Sequence, residues 1–470
     1  MSADGTGMRF LQTIQAGLAD VHGRDAAPSW QAPEINGGGV LASAFAVTGL
    51  AVGSIGAAAL GLAAYLREFT GRAPAVSLER RLASLWFGRS LYPQGWRIPA
   101  VRDPVTGDYQ GLDGWIRIHA NAPHHRQRAL RVLGCDARPQ SVEQAVSRRP
   151  VQALEDDLVA AGACAAVMRS ASQWAGHPQG RAIAQAPLFL ADEGLPEPTP
   201  PAAMRDPGRP LSDVRVLDLT RVLAGPVSTR FLAGYGARVV RVDPPSWTEP
   251  GMVPEVTLGK YCVGLDLNDP GQRRRFEALL AQADVLVHGY RPDALENLGL
   301  GAQARQRIRP GLVDVSLDAY GWTGPWRMRR GFDSLVQMSC GIAHAGMQWK
   351  EQPRPTPLPV QALDQASGYL MAAAVLHGLV HRRRTGMGSI VRLALARTAH
   401  LLMSETAQTG LVIDDAVPDD LDPWVERTVW GPAQRLSPPC ALAGIPMRWE
   451  RPAGPLRADP PMDAFPPQES

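Results

Sequence analysis

Residues 359–391, PVQALDQASGYLMAAAVLHGLVHRRRTGMGSIV, contain one acid near their start and then a long run of helix-forming residues. Positions 369–380 carry no formal charge, three arginines follow at 382–384, and Gly386 comes two residues later. An acid in the first turn and cations in the last turn suit the dipole of a helix, and glycine suits the position just past its end. The stretch therefore predicts a buried helix that begins near Asp364.

Asp364 by itself supports two interpretations. Aspartate is among the preferred capping residues, and a carboxylate that accepts hydrogen bonds from the free N–H groups of a helix start stays ionised. On spacing alone we interpret Asp364 as such a cap. A chemically reactive acid at the start of the helix is the alternative, and the spacing does not exclude it.

Short apolar segments alternate with helical segments in the second half of the chain. Strands are predicted at Val214–Leu219, Arg238–Asp243, Asp284–Val287 and Leu312–Leu317. Helices are predicted at Pro226–Tyr235 and after Asp269, where Pro270 suits the first turn. Apolar strands separated by helices are typical of a parallel sheet covered on both faces. The predicted fold class is α/β, a Rossmann-like open parallel sheet with helices on both faces, plus a smaller mixed α/β domain.

Changes in composition divide the sequence into six segments. We predict an N-terminal extension (1–36), an apolar helix with a linker (37–90), a small α/β domain (91–195), a Pro-rich linker (196–210), a Rossmann-like domain (211–400) and a C-terminal linker and tail (401–470). Residues 325–362 are expected to form a long irregular segment, and such segments often carry function.

The composition is that of an ordinary globular protein, with 45% hydrophobic residues, 20% charged residues and a net charge of +3. So small a net charge favours neither nucleic acid nor a membrane as a partner. The five cysteines are scattered without CxxC spacing, which indicates buried thiols in a reducing compartment. Residues 1–24 lack the apolar core of a signal peptide, and we expect a cytoplasmic protein.

An uncharged segment, Asn36–Leu66, is long enough to span a membrane. It is rich in Ala, Gly and Ser, whose transfer energy is weak, so we expect a tightly packed buried helix. The segment also parallels the one around Asp364, because GLAVGSIGAA at 49–58 matches DQASGYLMAA at 364–373 and each is followed by a Thr-Gly pair. Gly49 occupies the place of Asp364, so only the second copy has a carboxylate.

Six motifs follow the Pro-rich linker in a fixed order. They are VRVLDLTRVLAGPVSTRFLAGYGARVVRVDPP (214–245), KYCVGLDLNDP (260–270), ADVLVHGYRPDALENLGL (283–300), YGWTGPW (320–326), GFDSLVQMSCG (331–341) and ALDQASG (362–368). Together they resemble the CaiB/BaiF-type, class III CoA transferases. The resemblance implies an acyl-CoA transferase that moves CoA between carboxylic acids through aspartyl-anhydride and aspartyl-CoA intermediates. A coenzyme A thioester would be the substrate, with no bound cofactor and no metal.

The order of the domains differs from that of the family. Family members usually have the small domain after the catalytic helix, whereas here residues 49–195 resemble that helix and small domain and come first. The arrangement resembles a permuted chain or the remnant of a tandem fusion. Because family members are interlocked dimers, the resemblance implies a homodimer.

The resemblance assigns roles to individual positions. Asp364 falls on the family's catalytic aspartate, which attacks the thioester, and Asp333 falls on an acid that positions it; a turn or surface acid is the alternative for Asp333. The implied CoA-binding residues are Val222, Leu223, Ala224, Leu265, Gly289, Tyr290 and Asn297. Asn297 stands where family members often have an arginine, and Arg291 or Lys260 could replace its phosphate contact unless both are solvated charges. Tyr92–Trp96 falls on a loop that shields the aspartate.

Two other functions stay open. A 2-methylacyl-CoA racemase or isomerase of the same fold would use a His and Asp pair, and the histidine position is Phe332 here. A non-catalytic CoA-binding or scaffold homologue is the other alternative, because Gly49 replaces the acid in the first copy. The adjacent His124 and His125 lack metal-ligand spacing and are predicted to be exposed helix residues.

Overall fold

The computed structural model describes residues 3–21, 23, 30–100, 102–198, 204–407 and 409–467. Parts of the predicted N-terminal extension, of the Pro-rich linker (199–203) and of the C-terminal tail lie outside these described residues.

The chain folds into alternating helices and strands. Its first part contains α1 (Ala3–Val21), β1 (Glu34–Asn36), α2 (Val47–Thr70), β2 (Val76–Glu79), α3 (Arg80–Trp86), β3 (Leu91–Pro93), β4 (Gly107–Gln110), β5 (Trp115–Ile118), α4 (Pro123–Leu133), α5 (Pro139–Val146), α6 (Val151–Ala160), β6 (Ala165–Val167), α7 (Ala171–Gly176), α8 (Pro178–Gln185) and β7 (Leu190–Pro196). Its second part contains β8 (Arg215–Leu219), α9 (Ala224–Gly234), β9 (Arg238–Asp243), α10 (Val253–Val256), β10 (Lys260–Gly264), α11 (Pro270–Leu280), β11 (Val285–His288), α12 (Pro292–Glu296), α13 (Ala302–Ile308), β12 (Val313–Asp318), α14 (Asp333–Cys340), α15 (Ile342–Trp349), α16 (Ala362–Thr385), β13 (Met387–Ala394), α17 (Leu395–Met403), β14 (Leu421–Thr428), β15 (Gly431–Leu436) and β16 (Cys440–Leu442).

A seven-stranded sheet forms the centre of the molecule, in the order β10-β9-β8-β11-β12-β13-β7. Six of its strands are parallel, and β7 pairs antiparallel with β13 at one edge. The strand order reverses between β8 and β11, which is where open parallel sheets bind ligands. The α/β fold class with an open, mostly parallel sheet is confirmed. The edge strand β7 comes from before the Pro-rich linker, so the segment 190–196 belongs to this sheet.

The two helices α2 and α16 repeat one another and pack together in the core. Each has 24 residues, and the residues that cap them have matching backbone angles: Ala46 has φ −77° and ψ 58°, and Gln361 has −76° and 64°. At the other ends Gly71 and Gly386 are both left-handed, with φ of 73° and 77°. The internal repeat predicted from the sequence is thus also a repeat of structure.

Helix α2 is long and apolar enough to cross a membrane by length and composition, yet almost all of it is buried inside the fold. Gly61 lies against α16, since a Cβ there would be 3.2 Å from Leu376 Cβ. Gly53 lies against α1, where a Cβ would be 2.6 Å from Phe10 Cβ. The small residues of this helix therefore let two other helices approach it closely, as predicted for a tightly packed buried helix.

Two sequence predictions of local structure are wrong. The segment 325–362 is not irregular throughout, because α14 and α15 lie within it, and α14 is fully buried at the small domain. Tyr92–Trp96 is not a loop throughout, because its first residues lie in β3, which pairs with β15. Both errors arise because tertiary packing, which short-range patterns do not reveal, decides these segments.

The smaller sheets surround this core. The sheet β4-β5-β6 packs with α4, α5 and α6 around its own apolar cluster, which is the predicted small α/β unit. The sheets β1-β2-β16 and β14-β15-β3 each combine strands from both ends of the chain. The tail after β16 packs on the large sheet, where the Asp459 N–H donates to the Cys262 carbonyl. The N- and C-terminal parts of the chain therefore share the same small sheets.

Candidate functional site

A cavity of about 470 Å³ lies at the carboxyl ends of the parallel strands. Its wall is formed by residues that follow β8, β9, β11 and β12, by the start of α16 and by α4 of the small unit. The principal side chains and backbone segments are His124, His125, Arg221, Val222, Leu223, Ala224, Trp247, Gly289, Tyr290, Arg291, Asp318, Arg327, Arg329, Arg330, Phe332 and Asp364. Its size and position are those of a small-molecule site.

Asp364 lines this cavity and is 8% exposed. Its side chain makes no capping hydrogen bond at the start of α16, so the interpretation of Asp364 as a helix cap is wrong. The free N–H groups are satisfied from another helix, because Oδ2 of Asp333 accepts hydrogen bonds of 2.9 Å from both Leu363 and Asp364. Oδ1 of Asp333 accepts from the Gln337 amide. The carboxyl of Asp364 is therefore left to face the cavity.

Both acids have raised pKa values. Burial raises the pKa of Asp333 to about 6, although the N–H of Asp364 and the Gln337 amide oppose the rise. Burial raises the pKa of Asp364 well above its usual value, and the nearby charge of Asp333 adds to that effect. The prediction that backbone N–H groups keep Asp364 ionised is wrong, because those groups bind Asp333. An acid so poorly solvated becomes a reactive anion once it loses its proton.

The turn between β8 and α9 holds the first predicted CoA contacts. Val222, Leu223 and Ala224 all line the cavity. Val222 has a φ of +67°, a left-handed conformation that is costly for a β-branched residue. Its N–H donates to Oε2 of Glu249 over 2.8 Å, which holds the strained backbone in place. Strain of this kind is typical of functional turns.

The other predicted CoA contacts are divided between the cavity and the core. Gly289 and Tyr290 line the cavity, and the Tyr290 hydroxyl accepts a hydrogen bond from Arg221. Leu265 is 1% exposed in an apolar cluster behind the sheet, and Asn297 caps the end of α12; neither side chain lines the cavity. Five of the seven predicted CoA-binding residues therefore lie together on the cavity wall, including the three in the turn after β8.

Of the two cations considered as replacements for a phosphate contact, only Arg291 lines the cavity. Lys260 is fully buried, and its Nζ lies 3.0 Å from Oδ2 of Asp218. Burial lowers the pKa of Lys260 to about 8, and the charge of Asp218 opposes that change. Lys260 is therefore neither a solvated charge nor a phosphate ligand, because its amine is paired with Asp218 of β8 inside the fold.

His124 and His125 of the small unit line the cavity, which the sequence did not indicate. The ring of His119 stacks on Phe332 at 3.9 Å between centroids, and His125 meets the same phenyl ring edge-on at 6.0 Å. His124 is exposed as predicted, but His125 is buried, so the prediction of an exposed pair is wrong for His125. Burial lowers the pKa of His125 to about 3, so its imidazole is neutral at physiological pH. Only the long-range contact of α4 with Phe332, the residue before α14, reveals this arrangement.

An ion network fixes the loop that precedes α14. Arg329 donates to Oε1 of Glu155 over 2.8 Å and to the Ala165 carbonyl over 2.9 Å. Its guanidinium also lies 3.9 Å above the Trp326 ring. Arg169 holds the other carboxylate oxygen of Glu155 over 2.6 Å. These contacts therefore tie the loop on one side of the cavity to helix α6 of the small unit.

Other candidate groups do not form a site. Among the described residues there is no group of three or more His, Cys, Asp or Glu that could hold a metal ion. All five cysteines are free thiols, four of them buried, and burial raises the pKa of Cys340 to about 12, so it is no ready nucleophile. Asp333, for which a turn or surface position was the alternative, is fully buried.

The fold and the cavity define an α/β protein in which the carboxyl of Asp364 faces a cavity of small-molecule size at the switch point of a parallel sheet. The family model described as CoA-transferase family III matches residues 211–425. The predicted resemblance to the CaiB/BaiF-type, class III CoA transferases is therefore confirmed for this part of the chain.

Curated relatives match a little under half of the chain. A probable fatty acyl-CoA transferase of Mycobacterium tuberculosis, Rv3272, is 35% identical over 204 residues, which is 40% of this chain and 51% of that protein. The succinyl-CoA:glutarate CoA-transferase of Mus musculus is 33% identical over 220 residues, 44% and 50% of the two chains. The succinyl-CoA–D-citramalate CoA-transferase of Chloroflexus aurantiacus is 29% identical over 241 residues, 46% and 60%. The chain thus spans about half the length of these relatives.

Solved structures match a similar share. The crystal structure of Rv3272 is 34% identical, with a TM-score of 0.39 over 42% of this chain and 57% of that chain. A CaiB/BaiF family protein from Brucella suis is 24% identical, with a TM-score of 0.37 over 47% and 65%.

Proposed function

We propose that this protein transfers CoA between carboxylic acids and that Asp364 is its nucleophile. The observation that carries the proposal is the carboxyl of Asp364, which caps no helix and faces a cavity at the switch point of the sheet. It lies in the region that matches CoA-transferase family III. A carboxylate nucleophile divides one difficult exchange into easier steps and needs no metal.

Four acyl-transfer steps complete the exchange. The ionised Asp364 attacks the carbonyl of the donor thioester and releases CoA thiolate, which leaves a mixed anhydride. The thiolate then attacks the aspartyl carbonyl, so that the donor acid departs and an aspartyl-CoA thioester remains. The acceptor carboxylate attacks this thioester and again releases thiolate. Attack of the thiolate on the acceptor carbonyl yields the new acyl-CoA and restores the Asp364 carboxylate.

Asp333 acts as a positioning residue in this scheme. Its carboxylate occupies both N–H groups at the helix start and so keeps the Asp364 side chain from folding back onto its own helix. Val222, Leu223, Ala224, Gly289 and Tyr290 would contact the coenzyme A thioester. The cationic Arg221 and Arg291 lie on the same wall and suit its phosphates. No bound cofactor enters the scheme.

The acids exchanged are proposed from the relatives. Because several relatives carry the names of succinyl-CoA transferases, we choose succinyl-CoA as the first donor to test and glutarate as the first acceptor. A cytoplasmic homodimer that needs neither nucleic acid nor a membrane stays a prediction. Size-exclusion chromatography with light scattering measures the oligomeric state directly.

Trapping of the aspartyl intermediate tests the nucleophile. Protein incubated with succinyl-CoA and hydroxylamine should acquire one hydroxamate, which mass spectrometry should locate at Asp364. Asp364→Asn should lose both the adduct and at least about 10³-fold in kcat. Asp293→Asn is the matched control, since Asp293 lies near the cavity but not on its wall. Transfer without an adduct at Asp364 contradicts the proposal, and CoA binding without turnover of any donor indicates the non-catalytic alternative.

One observation favours a second candidate, the racemase or isomerase of 2-methylacyl-CoA. The sequence has Phe332 in place of the histidine of that reaction, but the structure places the neutral His125 on the wall of the cavity that contains Asp364. A neutral imidazole and a carboxyl could exchange a proton at the α-carbon. Deuterium uptake from D₂O into 2-methylbutanoyl-CoA tests this candidate. No uptake, or equal uptake by His125→Phe, excludes it.

A further inference from the structure

Asp318 is a second carboxyl on the cavity wall, and the mechanism above does not use it. It is the last residue of β12 and lines the same cavity as Asp364. Oδ1 accepts a hydrogen bond of 2.7 Å from the Gly321 N–H. Within the part of the chain that the structure describes, that carboxyl has no other hydrogen bond and no ion pair. One of its two oxygens is therefore available to a ligand.

The surroundings of Asp318 keep it protonated. The residue paired with it on β13 is the apolar Ala394, and no described cation forms an ion pair with it. Burial raises the pKa of Asp318 to about 8, and only the hydrogen bond from Gly321 opposes the rise. At neutral pH the free side of this carboxyl is mostly an O–H group, which donates a hydrogen bond.

The cavity contains several other charged or titratable groups. Those on its wall are His124, His125, Arg221, Arg291, Arg327, Arg329, Arg330 and Asp364. Burial lowers the pKa values of both histidines, so they do not titrate near pH 8. The five arginines are the other charged side chains on the wall. Asp364 also titrates, but the wild type and Asp318→Asn both retain it. A comparison of these two proteins therefore removes its contribution.

We propose that Asp318 binds the acceptor acid, with its O–H donating a hydrogen bond to a carboxylate oxygen of that acid. The inference rests on the proposed transfer function and adds to it a residue that determines acceptor binding. The arginines on the wall attract an anionic acid, and a protonated Asp318 offers it a donor. Ionised Asp318 offers only acceptor atoms and a like charge, so it repels the same acid.

Asp318→Asn tests the assignment because asparagine keeps the size and a donor but cannot ionise. With succinyl-CoA as donor, the KM for glutarate in the wild type should rise about tenfold between pH 7 and pH 9, as the protonated fraction of Asp318 falls. In Asp318→Asn this rise of the glutarate KM should be absent. Any change that remains between pH 7 and pH 9 should then be one that both proteins share. The KM for succinyl-CoA should vary equally in both proteins. Asp192→Asn, an exposed acid on β7, is the control and should behave as the wild type.

The outcomes separate this inference from the proposed function. The same pH dependence of the glutarate KM in wild type and Asp318→Asn overturns the inference, even where Asp364→Asn abolishes transfer. If no donor turns over, calorimetry of glutarate binding makes the same comparison. Binding that weakens between pH 7 and pH 9 in the wild type alone supports the role of Asp318. Binding with equal pH dependence, or no binding to either protein, overturns it.

Discussion

Gly368 allows α16 to approach the turn between β8 and α9, and replacing it should weaken binding of the proposed CoA substrate. The residue lies one turn after Asp364, and a Cβ added there would lie 2.4 Å from the carbonyl oxygen of Ala224 and 2.7 Å from Val227 Cβ. An ordinary contact begins at 3.4 Å, so Gly368→Ala requires a movement of about 1 Å between α9 and α16 (3.4 − 2.4). Ala224 lines the cavity and would move with α9.

The magnitude follows from that displacement. Overpacking of this kind costs about 1–3 kcal/mol of unfolding free energy. A misplacement of about 1 Å at a binding turn lowers kcat/KM by about 10- to 100-fold. We therefore expect Gly368→Ala to unfold at lower denaturant concentration and to show a raised KM for succinyl-CoA. Steady-state kinetics and urea unfolding measure the two effects.

The first copy of the repeat supplies the matched control. In Gly53→Ala the new Cβ would lie 2.6 Å from Phe10 Cβ and 3.0 Å from the Leu11 nitrogen, so α1 must move by a similar amount. Neither of these residues lines the cavity. Gly53→Ala should therefore lose stability but keep the KM for succinyl-CoA. A wild-type KM in Gly368→Ala, or an equal rise in both variants, refutes the reasoning.

Two further predictions concern buried acids. Burial is the main cause of the raised pKa of Asp364, and the charge of Asp333 adds to it. Asp333→Asn removes that charge, so the acid limb of kcat/KM should move to lower pH; an unchanged limb contradicts the coupling. Burial opposes ionisation of Glu155, but Arg169 and Arg329 outweigh it and lower its pKa to about 2. Glu155 therefore stabilises the fold above its usual pKa of 4.5, and that stability is lost as pH falls from 4.5 towards 2. Glu155→Gln should lose about 3 kcal/mol at pH 7 and show a flatter acid denaturation profile, measured by urea unfolding across pH.

Local patterns predicted the parts of the fold that local physics decides. The strand Arg238–Asp243 has the predicted bounds, and Asp269 caps its helix by accepting from the Gln272 N–H over 2.8 Å. The helix starting near Asp364 and its glycine C-cap are also confirmed. Each of these features depends on neighbours within a few residues, which a sequence displays directly.

The features that the sequence did not reveal depend on distant residues. Asp364 has the position and chemistry of a cap, yet Asp333, 31 positions away, occupies the N–H group in its place. The sequence predicts an exposed His125 because it lacks metal-ligand spacing, but Phe332, the residue before α14, packs against its ring. The antiparallel edge strand β7 was invisible for the same reason, since it pairs with residues about 200 positions later. Only the assembled fold supplies these partners.

The pairing of α2 with α16 has a consequence for how the molecule behaves on dilution. Two equivalent helices in contact could belong to separate chains, and their contact would then depend on protein concentration. Here one polypeptide supplies both, so each meets the other at a fixed, high local concentration. Because Gly49 stands where a second acid would be, this covalently joined pair carries one acid at that place, Asp364, at any protein concentration.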